Sequence, residues 1–340
     1  MSEMGKYIYG IVNSDKELFF PSCKVIADRE VYTITYHDIS AVISESEIVD
    51  YNRLPKDNVA RYLISHQMVL EKVMEDFTVI PMRLGTYALD EDEVRHILRK
   101  GYRVIKDMFR NIAGMIEVDV VVTWNNFEIV LKEAAEEEEI KEFKQALLNK
   151  KDGVTVNDQM RIGSLIKNYL DKRREFFAHR IETSLTQTSR NHRPHGLMND
   201  KMVFNSAFLL EKTMLMDFEK RVEKLNYEFD EKLNFKCIGP LPAYSFNTLE
   251  AKKIRSVDLA SAKEKLKLNT IASREEIEKS YRQQALLYHP DKNSGGPDTH
   301  EQFDRITKAY RMLLEYCDGD ACSFNEGESA MDMIIVKARD

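Results

Sequence analysis

Cysteine is scarce: the 340 residues hold four, Cys23, Cys237, Cys317 and Cys322, and no two form a CxxC pair. A disulfide-stapled secreted scaffold is excluded, and a reducing compartment is expected. Cys317 and Cys322 lie five apart with no adjacent histidine, which is not a zinc-ligand pattern. Apolar runs are short, and none reaches the ~18 residues of a bilayer-spanning helix. No signal peptide is seen, so a cytoplasmic protein without membrane contact is expected. Positive charge is not in excess either. Fifty Lys plus Arg stand against 57 Asp plus Glu, a net charge of −7, which argues against a nucleic-acid binder. There is no repeat of fixed period and no low-complexity tract.

What is present suits two or three packed domains, with 43% hydrophobic and 31% charged residues. The fold class expected is α+β: two α+β domains of ferredoxin-like type, then a small all-α helical hairpin. The first domain spans 1–115. Lys6–Val12 is a buried strand, and Val31–Tyr36 and Ile39–Ser44 form a hairpin about His37-Asp38. A helix follows with Val59, Tyr62, Leu63, His66, Val69, Leu70 and Val73 on one face. Val79-Ile80 is a short strand ended by Pro81, and Asp90–Glu93 place acids at the start of a helix whose apolar face runs from Val94 to Phe109. His66 is expected to be a buried structural histidine, because no nucleophile or metal partner lies nearby. Arg83 is expected to pair with the acids at 90–93 rather than to bind an anion.

The second domain spans 116–247. Ile116–Trp124 is a strand, residues 133–149 and 159–182 are helices, and 188–199 is a loop by composition. Met202–Leu210 is a strand, Thr213–Phe229 a helix and Leu233–Ile238 a last strand. This order is the ferredoxin-like one. His192 and His195 have no acid or thiol placed to complete a metal site. The acidic run Glu136–Glu139 reads as a solvated helix face or helix start.

Several segments of this body resemble the GvpL/GvpF family of gas vesicle proteins. They are Lys6–Val12, His66 with its following apolar pairs, Val79–Thr86 (VIPMRLGT), Met202–Leu210, and Gly239–Phe246 (GPLPAYSF). Leu241 stands where the family has Trp, and Ala243 where it has a second Pro. The resemblance covers about residues 5–247. It implies a non-enzymatic accessory protein of gas vesicle assembly, found in the cytoplasm and at the gas vesicle. Its expected partners are the gas vesicle shell protein and other accessory proteins. A very apolar shell subunit aggregates unless it is held, and sheet edges are candidate holders of an extended segment.

Residues 248–257 read as a linker, helical or flexible, and 258–318 as a third domain. Ser273–Glu276 is a capping box that opens a helix, Pro290 ends it, and Phe303–Leu314 is a second long helix. Tyr281–Asn293 (YRQQALLYHPDKN), with Leu266, Ala272, Ile277, Phe303, Ile306, Ala309, Tyr310 and Leu313 at their spacings, resembles a J domain. That resemblance implies a co-chaperone module that docks on Hsp70 through His289, Pro290 and Asp291, helped by Lys279, Arg282 and Tyr288. It implies no cofactor in this chain, since nucleotide and metal belong to the Hsp70 partner. Gln283 and Leu287 stand where the family often has a basic residue, and Ala262 and Lys263 replace its usual helix-I aromatics. Docking on an acidic Hsp70 surface should therefore be weaker and less salt-sensitive than usual. Residues 319–340 form a tail whose Met331–Lys337 stretch reads either as a strand for a sheet edge or as disordered chain.

Two functions follow as expectations. One is an assembly factor with a built-in co-chaperone arm. The alternative is a minor structural component of the vesicle whose J-like module has mainly a packing role. An enzyme built on His66 and Arg83 lacks a visible nucleophile–base or metal constellation.

Overall fold

Strand β1 (Met4–Val12) organises the first sheet of a computed structural model that describes residues 3–21, 29–150, 153–230, 232–288, 297–317, 321–324 and 333–339. It pairs antiparallel with β3 (Ile39–Glu47), which pairs in turn with β2 (Val31–Tyr36). On its other side lie β4 (Val79–Pro81) and the two-residue β5 (Tyr87–Ala88). The β1–β3 register shifts between Ile8 and Gly10, so side chains change face there. Tyr7, Tyr9 and Val12 pack against helix α1 (Lys56–Met74), while Ile8 and Ile11 pack against α2 (Glu91–Ile112).

Helix α2 begins where the Asp90 side chain accepts from the Glu93 amide at 2.8 Å. It buries Val94, Ile97, Leu98, Gly101, Ile105, Met108 and Phe109, the expected face. Helix α1 keeps only the second half of its expected face: His66, Val69, Leu70 and Val73 are buried, whereas Leu63 is largely exposed. Its first turns do not reach the sheet.

The second sheet is built around β6 (Met115–Trp124), in the order β7 (Asn191–Pro194), β8 (Met202–Glu211), β6, β9 (Leu233–Leu241), with every pair antiparallel. Helices α3 (Phe127–Glu136), α4 (Glu138–Leu148), α5 (Val156–Leu185) and α6 (Leu215–Glu228) accompany it. Trp124, Phe177, Phe208, Phe218 and Phe229 form its aromatic core. The expected loop at 188–199 contains β7. The polar composition concealed it, but the open edge of β8 supplies the ladder that makes Asn191–Pro194 a strand.

The chain then departs from the sequence reading. Residues 248–257, expected to be a linker, hold strand β10 (Thr248–Ile254) and the start of α7 (Ser256–Lys265). Short strand β11 (Ile271–Ser273), helix α8 (Arg274–Leu287), helix α9 (Pro297–Tyr316) and strand β12 (Ala321–Ser323), which pairs with β11, complete a helical module. The last strand, β13 (Met333–Arg339), returns to pair antiparallel with β10 over seven residues. Within the tail this realises the strand reading of Met331–Lys337 for the described residues. The module therefore leaves and re-enters the body through one two-stranded ribbon. Cys317 and Cys322 are joined by a disulfide, with Cα atoms 5.4 Å apart, inside the module's core. The disulfide departs from the expectation of a reducing compartment, in which both thiols would be free.

Candidate functional site

Helix α8 is set by its own first turn. Ser273 Oγ accepts from the Glu276 amide at 3.1 Å, and Glu276 Oε2 accepts from the Ser273 amide at 2.7 Å. Ile277 and Gln284 are buried, Tyr281 stacks on Tyr310 with ring centroids 4.1 Å apart, and Ser280 Oγ donates to the Leu266 carbonyl. These contacts fix the rotation of α8. Lys279, Arg282 and Leu286, spaced at three and four residues, form an outward stripe, and Tyr288 follows at the helix end.

The charge on that stripe is partly spent within the helix. Arg282 reaches Glu278 at 3.5 Å and Arg274 reaches the same carboxylate at 3.9 Å. Lys279 has no ion pair among the described residues. Leu287 is 59% exposed, so the stripe ends in apolar surface. His289, Pro290 and Asp291 lie outside the described residues.

The junction between module and body is built on β10. The Arg83 amide donates to the Leu249 carbonyl at 2.9 Å, and the Arg83 guanidinium pairs with Glu250. Lys253 Nζ lies 2.9 Å from Glu93, and Lys252 Nζ lies 2.8 Å from both oxygens of Glu315 on α9. Leu249 is buried in the first-domain core and Ile254 in the module core. Arg83 was expected to pair with the acids at 90–93. Those acids serve the α2 N-terminus, where Glu93 Oε2 also accepts from the Leu89 amide at 2.7 Å, and Arg83 turns instead to β10.

The remaining candidates are braces. His66 is buried, its Nδ1 is 2.7 Å from the Tyr7 hydroxyl, and burial pushes its pKa down to about 4, so it is neutral near neutrality. Together with Tyr7, Tyr9, Tyr51 and Tyr62 it lines a cavity of about 60 Å³. His192 and His195 do not converge. His192 Nε2 is 2.5 Å from Glu182, whereas His195 Nε2 is 3.3 Å from Ser245 Oγ. Among the described residues no group of three metal-ligating side chains forms.

Glu117 was overlooked in the sequence. It is 1% exposed, and its carboxylate accepts from the Ser245 amide at 2.8 Å and the Ser245 hydroxyl at 2.7 Å. Burial raises its pKa to about 7, with neighbouring Asp119 adding to the effect. The Ser245 hydroxyl is committed to this carboxylate, so the cluster ties β6 to the turn that leads into β10. The available signal was two acids, Glu117 and Asp119, inside an otherwise apolar strand.

Two other surfaces are open. The edge strand β9 is exposed from Lys236 to Pro240. A cleft of about 930 Å³ is lined by residues including Ile140, Tyr169, Phe176 and Phe229. No helix among the described residues is long and apolar enough to cross a membrane.

Comparison with known proteins accounts for both parts of the chain. The family described as gas vesicle synthesis protein GvpL/GvpF matches residues 5–248, and the DnaJ domain matches residues 264–316. Gas vesicle protein F of Nostoc sp. is 26% identical over 258 residues, covering 71% of this chain and 97% of that protein. Gas vesicle protein F1 of Halobacterium salinarum is 24% identical over 243 residues, covering 71% of this chain and 91% of that protein. The module is similar to the chaperone protein DnaJ of Wolinella succinogenes, 46% identical over 50 residues, or 15% of this chain and 13% of that protein. Among solved structures, gas vesicle protein GvpF from Anabaena sp. superposes with a TM-score of 0.59 at 24% identity, covering 72% of this chain and 98% of that one. The chain belongs to the GvpL/GvpF family of gas vesicle synthesis proteins, and a DnaJ domain follows the family body.

Proposed function

We propose that this protein is a gas vesicle assembly factor that brings Hsp70 to its own client. The body formed by residues 5–248 binds shell or other accessory subunits, and the J module recruits Hsp70 through His289, Pro290 and Asp291. Lys279 and Arg282 add a modest electrostatic contribution and Tyr288 an aromatic contact. The observation that carries this reading is the junction. A gas vesicle body and a DnaJ domain share one chain, and β10 is buried at one end in the body core and at the other in the module core. A client on the body is thereby held at fixed distance from the J module, which raises its effective concentration for Hsp70.

The strand order β7-β8-β6-β9, with helices between β6 and β7 and between β8 and β9, supports a ferredoxin-like reading of the second domain. The exposed β9 edge and the cleft beside Phe176 are candidate client surfaces. No chemistry of its own is assigned to the chain, and its place is the cytoplasm at the growing vesicle. The test combines an Hsp70 ATPase assay with a pull-down on gas vesicle proteins. The intact chain should stimulate hydrolysis, His289→Gln should lose that stimulation, and both should retain gas vesicle proteins equally. Absence of stimulation by the intact chain removes the co-chaperone part, and failure to retain any vesicle protein removes the assembly part.

A further inference from the structure

Strand β13 occupies an unusual position. It is an edge strand, hydrogen-bonded only to β10 among the described residues. Its inner side lies on α2, where Val336 is 7% exposed within the body core and Ile334 packs beside it. The seat for Val336 is made by a missing side chain. A Cβ at Gly101 would lie 2.6 Å from Val336 Cγ1, closer than two carbons can come. Gly101 thus leaves a notch that takes one branched aliphatic side chain, next to a backbone ladder that takes any extended chain.

Strand β10 has anchors to the body that do not involve β13. It is held from the body by the Arg83 amide at Leu249 and by the pairs Arg83–Glu250 and Lys253–Glu93. The α2 face belongs to the part of the chain shared with the family, which ends at residue 248, whereas β13 lies beyond it. In this chain the notch thus lies within the family-matched part and is filled by a segment that lies beyond it.

We propose that the notch at Gly101 and the edge of β10 form a strand-accepting groove, that β13 fills it in cis, and that the groove accepts in trans an extended partner segment with aliphatic side chains at alternate positions. Displacement of β13 leaves the J module held by β10 alone. The inference deepens the assembly-factor reading by naming the kind of client segment and linking its capture to a looser J module. The cis strand competes at the high effective concentration of a tethered segment, so the intact chain binds such a segment weakly.

The test uses the full-length chain and a fluorescent peptide copying residues 331–340. Val336→Asp in the protein ejects β13, and the variant should bind the peptide at least ~10-fold more tightly than the wild-type chain. Adding Gly101→Val to that variant fills the notch and should abolish the gain. An unrelated peptide with the same aliphatic alternation should compete, and its scramble without alternation should not. Equal affinity for Val336→Asp and wild type, persistence of the gain with Gly101→Val, or equal competition by both peptides overturns the proposal.

Hydrogen exchange on the wild-type chain decides the matter should Val336→Asp not fold. Amides of β13 should exchange at least ~10-fold faster than those of β1, as for a strand that opens locally. Protection equal to that of β1 contradicts an exchangeable strand. Neither experiment contains vesicle protein or Hsp70. A working groove with a negative pull-down sinks the assembly reading alone, and the reverse result sinks the groove alone.

Discussion

Arg83 and Glu250 form an ion pair across 167 positions of sequence, with the carboxylate side chain 8% exposed and the guanidinium about half exposed. Arg83 sits in the VIPMRLGT segment, inside the family match, and Glu250 sits on β10, just beyond it. The pair joins the shared body to the strand that carries the J module. Removing the arginine leaves a carboxylate with little access to water and, among the described residues, one remaining cation nearby, Lys252 Nζ at 4.0 Å. Arg83→Ala should therefore cost ~1–3 kcal/mol, less than a fully buried pair because solvent reaches the guanidinium. Arg83→Ala combined with Glu250→Gln should recover part of that loss, because the stranded charge is gone. Denaturant unfolding of the two single variants and the double variant measures the coupling, and strict additivity would contradict a direct pair.

Glu117 gives the chain a stability term that opposes its surface carboxylates. Its folded pKa of about 7 lies above its ordinary value of 4.5, chiefly because of burial. The folded state therefore holds the proton more tightly than the unfolded state. The stabilisation is complete below about pH 4.5 and is lost as pH rises to about 7. For a single group this amounts to at most on the order of 3 kcal/mol. Glu117→Gln removes the term. The difference in Tm between the variant and the wild-type chain should move in the variant's favour from pH 4.5 to 7 and then level off. A difference independent of pH would show that Glu117 ionises as an ordinary carboxylate.

Much of the fold was legible in local pattern, and what was missed is non-local. The buried face of α2 could be read residue by residue, because helical periodicity records burial directly. The β2–β3 hairpin was legible for the same reason, with a turn of two residues at His37-Asp38. Strand β10 was hidden because TLEAKKI has too few apolar residues to look like a strand. Its ladder comes from β13, some eighty positions later, and its charges are matched by Arg83, Glu93 and Glu315. Only tertiary pairing makes that sequence a strand. In the J module the sequence identified helices α8 and α9. It did not reveal that Glu278 draws on both Arg274 and Arg282.

That sharing bears on how Hsp70 would be met. With Arg282 engaged by Glu278 and Leu287 exposed and uncharged, long-range attraction to the proposed Hsp70 partner should be reduced. Leu287→Lys adds an exposed charge at the end of the same helix without touching the core. It should raise the association rate with Hsp70 several-fold at low ionic strength, and the gain should vanish above ~0.5 M salt, where the Debye length is only a few ångströms. Stopped-flow association across a salt series is the measurement. A gain that survives high salt would point to altered packing rather than to charge.

Gly101 and Val336 supply the most direct check on how the ribbon is seated. Gly101→Ala puts a methyl group 2.6 Å from Val336 Cγ1 and 3.0 Å from Ile105 Cδ1, and a β-branched valine has little rotamer freedom with which to retreat. Overpacking of this kind costs ~1–3 kcal/mol. Val336→Ala alone leaves a small void over the notch and costs ~1–2 kcal/mol. In the double variant the new methyl group occupies part of the space the valine left. The combined loss should fall short of the sum of the two single losses by ~1 kcal/mol or more. If β13 did not rest on α2, the two substitutions would be additive, and Gly101→Ala would stabilise the helix through its better propensity rather than weaken it.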